Sequence, residues 1–161
     1  MVTLPGANMT RIQPLAGSWT FTEEESLDAR DASRGTAVIV PGPAGLSLVC
    51  DEIGNTAVGA FRVHGILAWE ASLGRYAWVL ADSRVPGLRM LSGIWDEPEL
   101  RFFSALEPRA DDPWRNVRIS MIEATAFHMA VEGTTRGRPF RLIRRYERKL
   151  DASRMRVIPR D

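Results

Sequence analysis

The sequence predicts an all-β protein, a single up-and-down antiparallel β-barrel of eight to ten strands. Three observations carry that expectation. Turn-forming residues, 13 glycines and 10 prolines among them, interrupt the chain at short intervals. Between the interruptions apolar and polar residues alternate with period two, and no apolar repeat at helical spacing is sustained for a dozen residues. Finally, "SLG" at 72–74, "DEPE" at 96–99 and "TTRGRP" at 134–139 are short enough for hairpin connections, so neighbours in sequence should pair as neighbours in the sheet.

In chain order, residues 1–14 form an N-terminal extension broken by Pro5, Gly6 and Pro14, and Gly17 opens the first strand, over 17–22. "FTEEESLDARDASRG" (21–35) is a polar connection with room for one helical turn, and a strand follows over 34–40. "VPGPAGLS" (40–47) packs two prolines and two glycines into a turn ahead of a strand over 45–52. Alternating runs then predict strands over 57–70, 74–83, 88–96 and 99–107. Beyond the acidic turn "ADD" (110–112), strands over 115–123, 126–133 and 138–149 complete a barrel domain spanning 15–150. The alternation ends in "DASRMRVIPRD" (151–161), which reads as a C-terminal tail.

Composition narrows the functional classes. A chain of 161 residues, 45% hydrophobic, suits one domain with a continuous core. With 21 basic and 20 acidic residues the net charge of +1 creates no one-signed field that would draw nucleic acid or an anionic membrane. Cys50 is the only cysteine, which excludes an internal disulfide and a cysteine-based zinc cluster and favours a reducing compartment. The N-terminal stretch never runs apolar long enough for a signal peptide or a membrane span, so a cytoplasmic location is expected. No His-Glu-x-x-His, Gly-x-Ser-x-Gly, phosphate-loop or dinucleotide fingerprint is present, and no cofactor is expected. Two histidines and one cysteine make a poor transition-metal set, and haem ligation by a lone histidine has no second feature behind it.

Gly17-x-Trp19 at the first strand resembles the Gly-x-Trp signature of lipocalins. A longer match lies in "AFRVHGILAWEASLGRYAWVLADS" (60–83), "LSGIWDEPELRFF" (91–103) and "FRLIRRYERK" (140–149), which resemble a bacterial lipocalin-like family of unknown function. The matching residues are Gly74, Tyr76, Trp78, Asp82 and Ser83, then Gly93, Trp95 and Asp96, then Tyr146 and Arg148. Trp69-Glu70 stands where that family often has Tyr-Asp. The resemblance implies a calycin-type barrel and names no activity.

Period two also separates the faces of each strand. The rows expected to point inward are Leu46, Leu48 and Cys50; Phe61, Val63, Leu67 and Trp69; Tyr76, Trp78 and Leu80; Leu100, Phe102 and Leu106; Val117, Ile119 and Met121; Phe127, Met129 and Val131; and Phe140, Leu142 and Tyr146. Gly59 and Gly65 share the inward parity of their strand, where they ease coiling or leave room for a ligand. Arg144 falls inward between Leu142 and Tyr146, and a buried guanidinium needs an acceptor or a ring. In lipocalins an arginine near the end of the last strand packs across the signature tryptophan, so the resemblance implies that Arg144 covers Trp19. The alternative is that Arg144-x-Tyr146 clamps a ligand carboxylate, as a similar pair does in fatty-acid-binding proteins. His64 and His128 fall on outward rows; an inverted phase over 57–70 would put Arg62 and His64 inside the cavity. Asp82 shares the inward phase of Trp78 and either ends its strand, pairs with Arg144 or serves as a general base. "DEPE" and "ADD" read as solvated turn carboxylates.

These rows predict a protein that binds a small hydrophobic or aromatic molecule, a carboxylate included, inside the barrel. Its candidate ligand-binding residues are Trp78, Tyr76, Arg144, Tyr146, Phe102, Phe127, His64 and Asp82. A small cyclase- or isomerase-type barrel enzyme and a filled structural domain remain as alternatives. Either Leu91 and Trp95 or Met90 and Ile94 must face outward, joined by Phe103 and Ile122, which predicts a sheet-to-sheet homodimer contact.

Overall fold

Alternation resolves into ten strands: β1 (Gly17–Ser26), β2 (Ser33–Pro41), β3 (Ser47–Thr56), β4 (Gly59–Glu70), β5 (Arg75–Asp82), β6 (Val85–Asp96), β7 (Glu99–Ser104), β8 (Asn116–Ser120), β9 (Ala126–Thr135) and β10 (Arg138–Arg148). The computed structural model describes residues 6–26, 32–106, 111–120 and 122–149; the expected tail at 151–161 and Met121 lie outside them. Each strand pairs antiparallel with its sequence neighbours, and β1 pairs with β10, closing the barrel. Closure leaves no sheet edge unpaired, as short strands without a covering helix layer require. The architecture is consistent with a lipocalin- or calycin-like fold.

The inward rows hold almost throughout. Leu48, Phe61, Val63, Leu67, Tyr76, Trp78, Leu80, Leu100, Phe102, Val117, Ile119, Phe127, Met129, Val131, Leu142 and Tyr146 are all buried. Each large apolar side chain so removed from water contributes about 1.5–3 kcal/mol. Two expected members are exposed instead. Leu46 precedes the first residue of β3, and Leu106 lies past the last residue of β7, so neither is held in a pleat. In β6 the inward parity belongs to Arg89, Leu91 and Gly93, while Met90 and Ile94 face solvent. Trp95 follows the inward parity and is half-buried, with the Arg11 guanidinium 5.1 Å from its ring centroid.

Two departures from the sequence reading shape the barrel ends. The N-terminal extension contains a short helix, α1 (Ala7–Ile12), followed by a single 3-10 turn over Gln13–Leu15. Pro5, Gly6 and Pro14 do not prevent this, because the helix begins after Gly6 and Pro14 sits in the first turn of the 3-10 segment, where its missing N–H costs nothing. Met9, Ile12 and Leu15 are buried and close one end of the barrel. The second departure is that β1 runs on through Glu23 to Ser26, with its register shifting between Glu23 and Glu25, so that half of the expected polar connection is strand. Glu23 is anchored there by β2, since its Oε2 accepts hydrogen bonds from the Ser33 backbone N–H at 2.8 Å and from the Ser33 hydroxyl at 3.3 Å. Among the described residues no helix is long and apolar enough to cross a membrane.

Candidate functional site

At the barrel end opposite α1, inward positions of β3 and β10 bring together a buried polar cluster. Arg144 and Glu52 are 1% and 4% exposed, so neither charge can be left to water. Arg144 Nη1 donates to Glu52 Oε1 at 2.7 Å, and Arg144 Nε donates to the Ser33 hydroxyl at 2.9 Å. Tyr146 donates its hydroxyl to the second carboxylate oxygen, Glu52 Oε2, at 2.8 Å. The guanidinium carbon lies near two neighbouring rings, 4.9 Å from the Phe21 centroid and 5.3 Å from that of Phe61. Gly54 leaves room for both rings, since a Cβ there would come within 2.5 Å of the Phe61 ring and 2.8 Å of Phe21. Burial by itself would weaken the hold of Arg144 on its proton, but the Glu52 carboxylate and the Tyr146 phenol outweigh it and raise its pKa. Burial, reinforced by the charge of Glu52, pushes the Tyr146 phenol well above its ordinary value, so it stays a hydrogen-bond donor.

A second arginine–carboxylate pair stands at the same end. Arg84 grips Asp82 through both carboxylate oxygens, Nε to Oδ1 at 2.9 Å and Nη2 to Oδ2 at 2.7 Å, and the Trp114 indole N–H adds a third bond at 3.0 Å. Burial would raise the Asp82 carboxyl, but these bonds and the Arg84 charge hold it below the usual aspartate value. Nearby, Arg89 Nε donates to Asp112 Oδ1 at 3.2 Å, and Asp112 also bonds Thr134 and the Trp114 backbone. The buried Arg89–Asp112 pair and the buried Asp82 carboxylate, held by the partly exposed Arg84, pin the segment that carries Trp114 into the barrel mouth.

Between them lies a pocket of about 200 Å³, walled by Trp114, Val131, Phe140 and Leu142, with Arg84 and Arg144 on its surface. A smaller chamber of about 40 Å³, almost wholly apolar, lies among Leu48, Cys50, Leu67, Trp78 and Phe127, with Glu52 and Tyr146 also on its wall. Arg144 faces the first space and its partners Glu52 and Tyr146 face the second, so the ion pair stands between the two. The Trp78 indole Nε1 is buried and has no hydrogen-bond partner among the described residues.

The helix end is sealed by different means. Trp19 is fully buried and donates its indole N–H to the Leu15 carbonyl at 2.9 Å. The arginine that covers it is Arg148, with the guanidinium carbon 4.2 Å from the ring centroid. Arg148 also donates to the carbonyls of Ala16 at 2.9 Å and Pro14 at 3.0 Å, and to that of Ala124. The strand register explains the exchange: Trp19 pairs with Arg148 across β1 and β10, whereas Arg144 pairs with Glu23. The expectation that Arg144 covers Trp19 is therefore corrected by four residues along one face of β10.

The remaining sequence-selected residues separate. Tyr76 belongs to the helix end, where it donates to the Asn8 carbonyl at 2.8 Å and meets Trp69 edge-on. Trp78 packs edge-on against Phe102 and Trp114, and Phe127 stacks on Tyr146 at 4.4 Å while meeting Trp19. Phe102 is fully buried and lines neither the pocket nor the smaller chamber. Gly65 serves neither coiling alone nor an open space, since a Cβ there would meet the Trp78 Nε1 at 2.8 Å. His64 is exposed on the outer surface, its Nδ1 2.8 Å from Asp51 Oδ1, and Arg62 is exposed with it, so the outward phase of 57–70 holds. His128 is half-buried. Asp82 pairs with Arg84 and not with Arg144. The carboxylate clamp of Arg144 and Tyr146 is already closed on Glu52.

Sequence reasoning missed Glu52, Arg89, Asp112 and Trp114. Glu52 was legible: it is the next member of the inward row Leu48, Cys50, opposite an inward arginine. Asp112 falls in the "ADD" turn read as solvated, yet it is 2% exposed. No family model matches the chain, and no curated protein matches it in sequence.

Proposed function

We propose that this chain is a lipocalin-like binding protein that takes a small hydrophobic or aromatic molecule into the pocket at the barrel end opposite α1. The observation that carries this reading is the contrast in filling. One end is packed shut by Met9, Ile12, Leu15 and Trp19, while the other keeps about 200 Å³ among Trp114, Phe140, Val131 and Leu142. A space of that size exceeds the cavity of about 150 Å³ that suffices for a benzene ring. Its walls combine apolar surface with a few convergent polar groups, as ligand sites do. The single cysteine suits a reducing, cytoplasmic setting.

Isothermal titration with benzyl alcohol tests the reading. Saturable binding with a negative heat-capacity change, abolished by the pocket-filling change Val131→Phe in a folded variant, is the expected result. Absence of saturable binding across neutral one- and two-ring aromatics rejects it. A homodimer belongs to the same proposal. Val40, Val49, Ile66, Val79 and Met90 pair in register across β2 to β6 as an outward apolar row, with Val40, Ile66 and Met90 exposed. Sedimentation showing only an 18.0 kDa species at high concentration removes that part.

A further inference from the structure

An arginine at the floor of a pocket invites an acid, yet Arg144 and its neighbour Tyr146 already share a carboxylate of the protein. The Arg144 Nη1 and the Tyr146 hydroxyl converge on the two oxygens of one carboxylate, at 2.7 and 2.8 Å, and that carboxylate belongs to Glu52. The Arg144 Nε goes to the Ser33 hydroxyl, which lies 3.3 Å from Glu23 Oε2, so a second carboxylate also stands behind the guanidinium. Across the pocket, Arg84 is gripped at both edges of Asp82, whose side chain is fully buried. Each of these two guanidinium groups therefore arrives with its own counter-ion.

We propose that Glu52 sets the charge class of the ligand: by filling the acceptor position between Arg144 and Tyr146, it bars carboxylates from the pocket floor and reserves the site for uncharged aromatic or apolar molecules. The inference rests on the reading of this pocket as a ligand site. A ligand carboxylate at this floor would be a third negative charge beside the Arg144 guanidinium, losing hydration there without gaining a cation that Glu52 does not already hold. Arg136, which also lines the pocket, stands outside this cluster. A neutral ring loses little hydration and meets Val131, Leu142, Phe140 and Trp114. Glu52 thus acts as a built-in competitor for acids and leaves the space above it to neutral molecules.

The test compares benzyl alcohol with benzoate by titration calorimetry on the wild type, Glu52→Ala and Glu52→Ala/Arg144→Met. The wild type is expected to bind the alcohol at least tenfold more tightly than the acid. Glu52→Ala should reverse the preference, because it frees Arg144 and Tyr146 for an added carboxylate, and the double variant should lose the gained acid affinity. Acetate should raise the Tm of Glu52→Ala while acetamide does not. If Glu52→Ala does not fold alone, refolding by acetate supports the inference, and refolding by acetamide equally, or by neither, overturns it. Equal binding of acid and alcohol by the wild type, or no acid gain in a folded Glu52→Ala, also overturns it while leaving the ligand reading intact. A wild type that binds neither probe rejects the ligand reading and this inference with it, whereas the acetate response alone then reports the pairing of Glu52 with Arg144.

Discussion

Arg144 and Arg148 lie on the same inward face of β10, each with its guanidinium over aromatic rings, yet they hold the two ends of the barrel in different ways. Arg148 covers Trp19 and spends its N–H groups on the carbonyls of Pro14, Ala16 and Ala124. Its acceptors are neutral and fixed by the backbone, so they lose little if the charge is removed. Arg144 donates to Glu52 and Ser33, buried beside Phe21 and Phe61. Here the acceptor is a buried charge, and each partner is tolerable only while the other remains. The comparison shows that the stacking contact does not define an arginine's role; the charge of its acceptor does.

That difference predicts unequal penalties. Arg144→Met should lower the unfolding free energy by about 3–5 kcal/mol, because Glu52 is left buried and unpaired, and Arg144→Met/Glu52→Leu should recover most of the loss in urea denaturation. Asp82 is also a buried carboxylate, though its partner Arg84 is partly exposed, and Asp82→Asn should cost about 1.5–3 kcal/mol through its weakened charge-assisted bonds. Because the folded Asp82 value lies below the unfolded one, its stabilisation is complete above the ordinary aspartate value and is lost as pH falls through the lowered folded value. The acid limb of the urea midpoint should therefore be steeper in the wild type than in Asp82→Asn. Arg148→Met should cost less, about 1–2 kcal/mol, and should red-shift the Trp19 emission as the ring loses its cover.

The smallest effect concerns the inner chamber beside Glu52. Burial, with the charges of Glu52 and Asp51, pushes the Cys50 thiol up to about 12. Stability linked to this group is complete below the unfolded thiol value and is lost as pH rises toward the folded one. Cys50 is half-buried, so at pH 8 a thiol-specific reagent should label the native protein far more slowly than a free thiol because little thiolate is present; labelling at the rate of a free thiol would contradict the raised value.

Strand order and face were legible because period two is a local signal, and it survives even where Glu23 carries charge into a strand. Pairing across the barrel was not, because it depends on register and on curvature that no strand specifies alone. Arg144 was identified as inward from its row, but its partner lies on β3, a distant stretch of sequence, and the choice between Trp19 and Glu52 turns on which β1 residue stands opposite which residue of β10. The N-terminal helix escaped notice for a related reason: six residues are too few to show a period, and their burial is a tertiary effect. Trp114 was invisible because its place is set by Asp82 and by Arg89, which holds the neighbouring Asp112, both outside its own segment.

Paired double-mutant cycles test the account most directly, one between positions 52 and 144 and one between positions 19 and 144, read by urea unfolding. The account predicts a coupling of at least about 1.5 kcal/mol for the first pair and additivity within about 0.5 kcal/mol for the second. Additivity between Glu52 and Arg144, or strong coupling between Trp19 and Arg144, would contradict it.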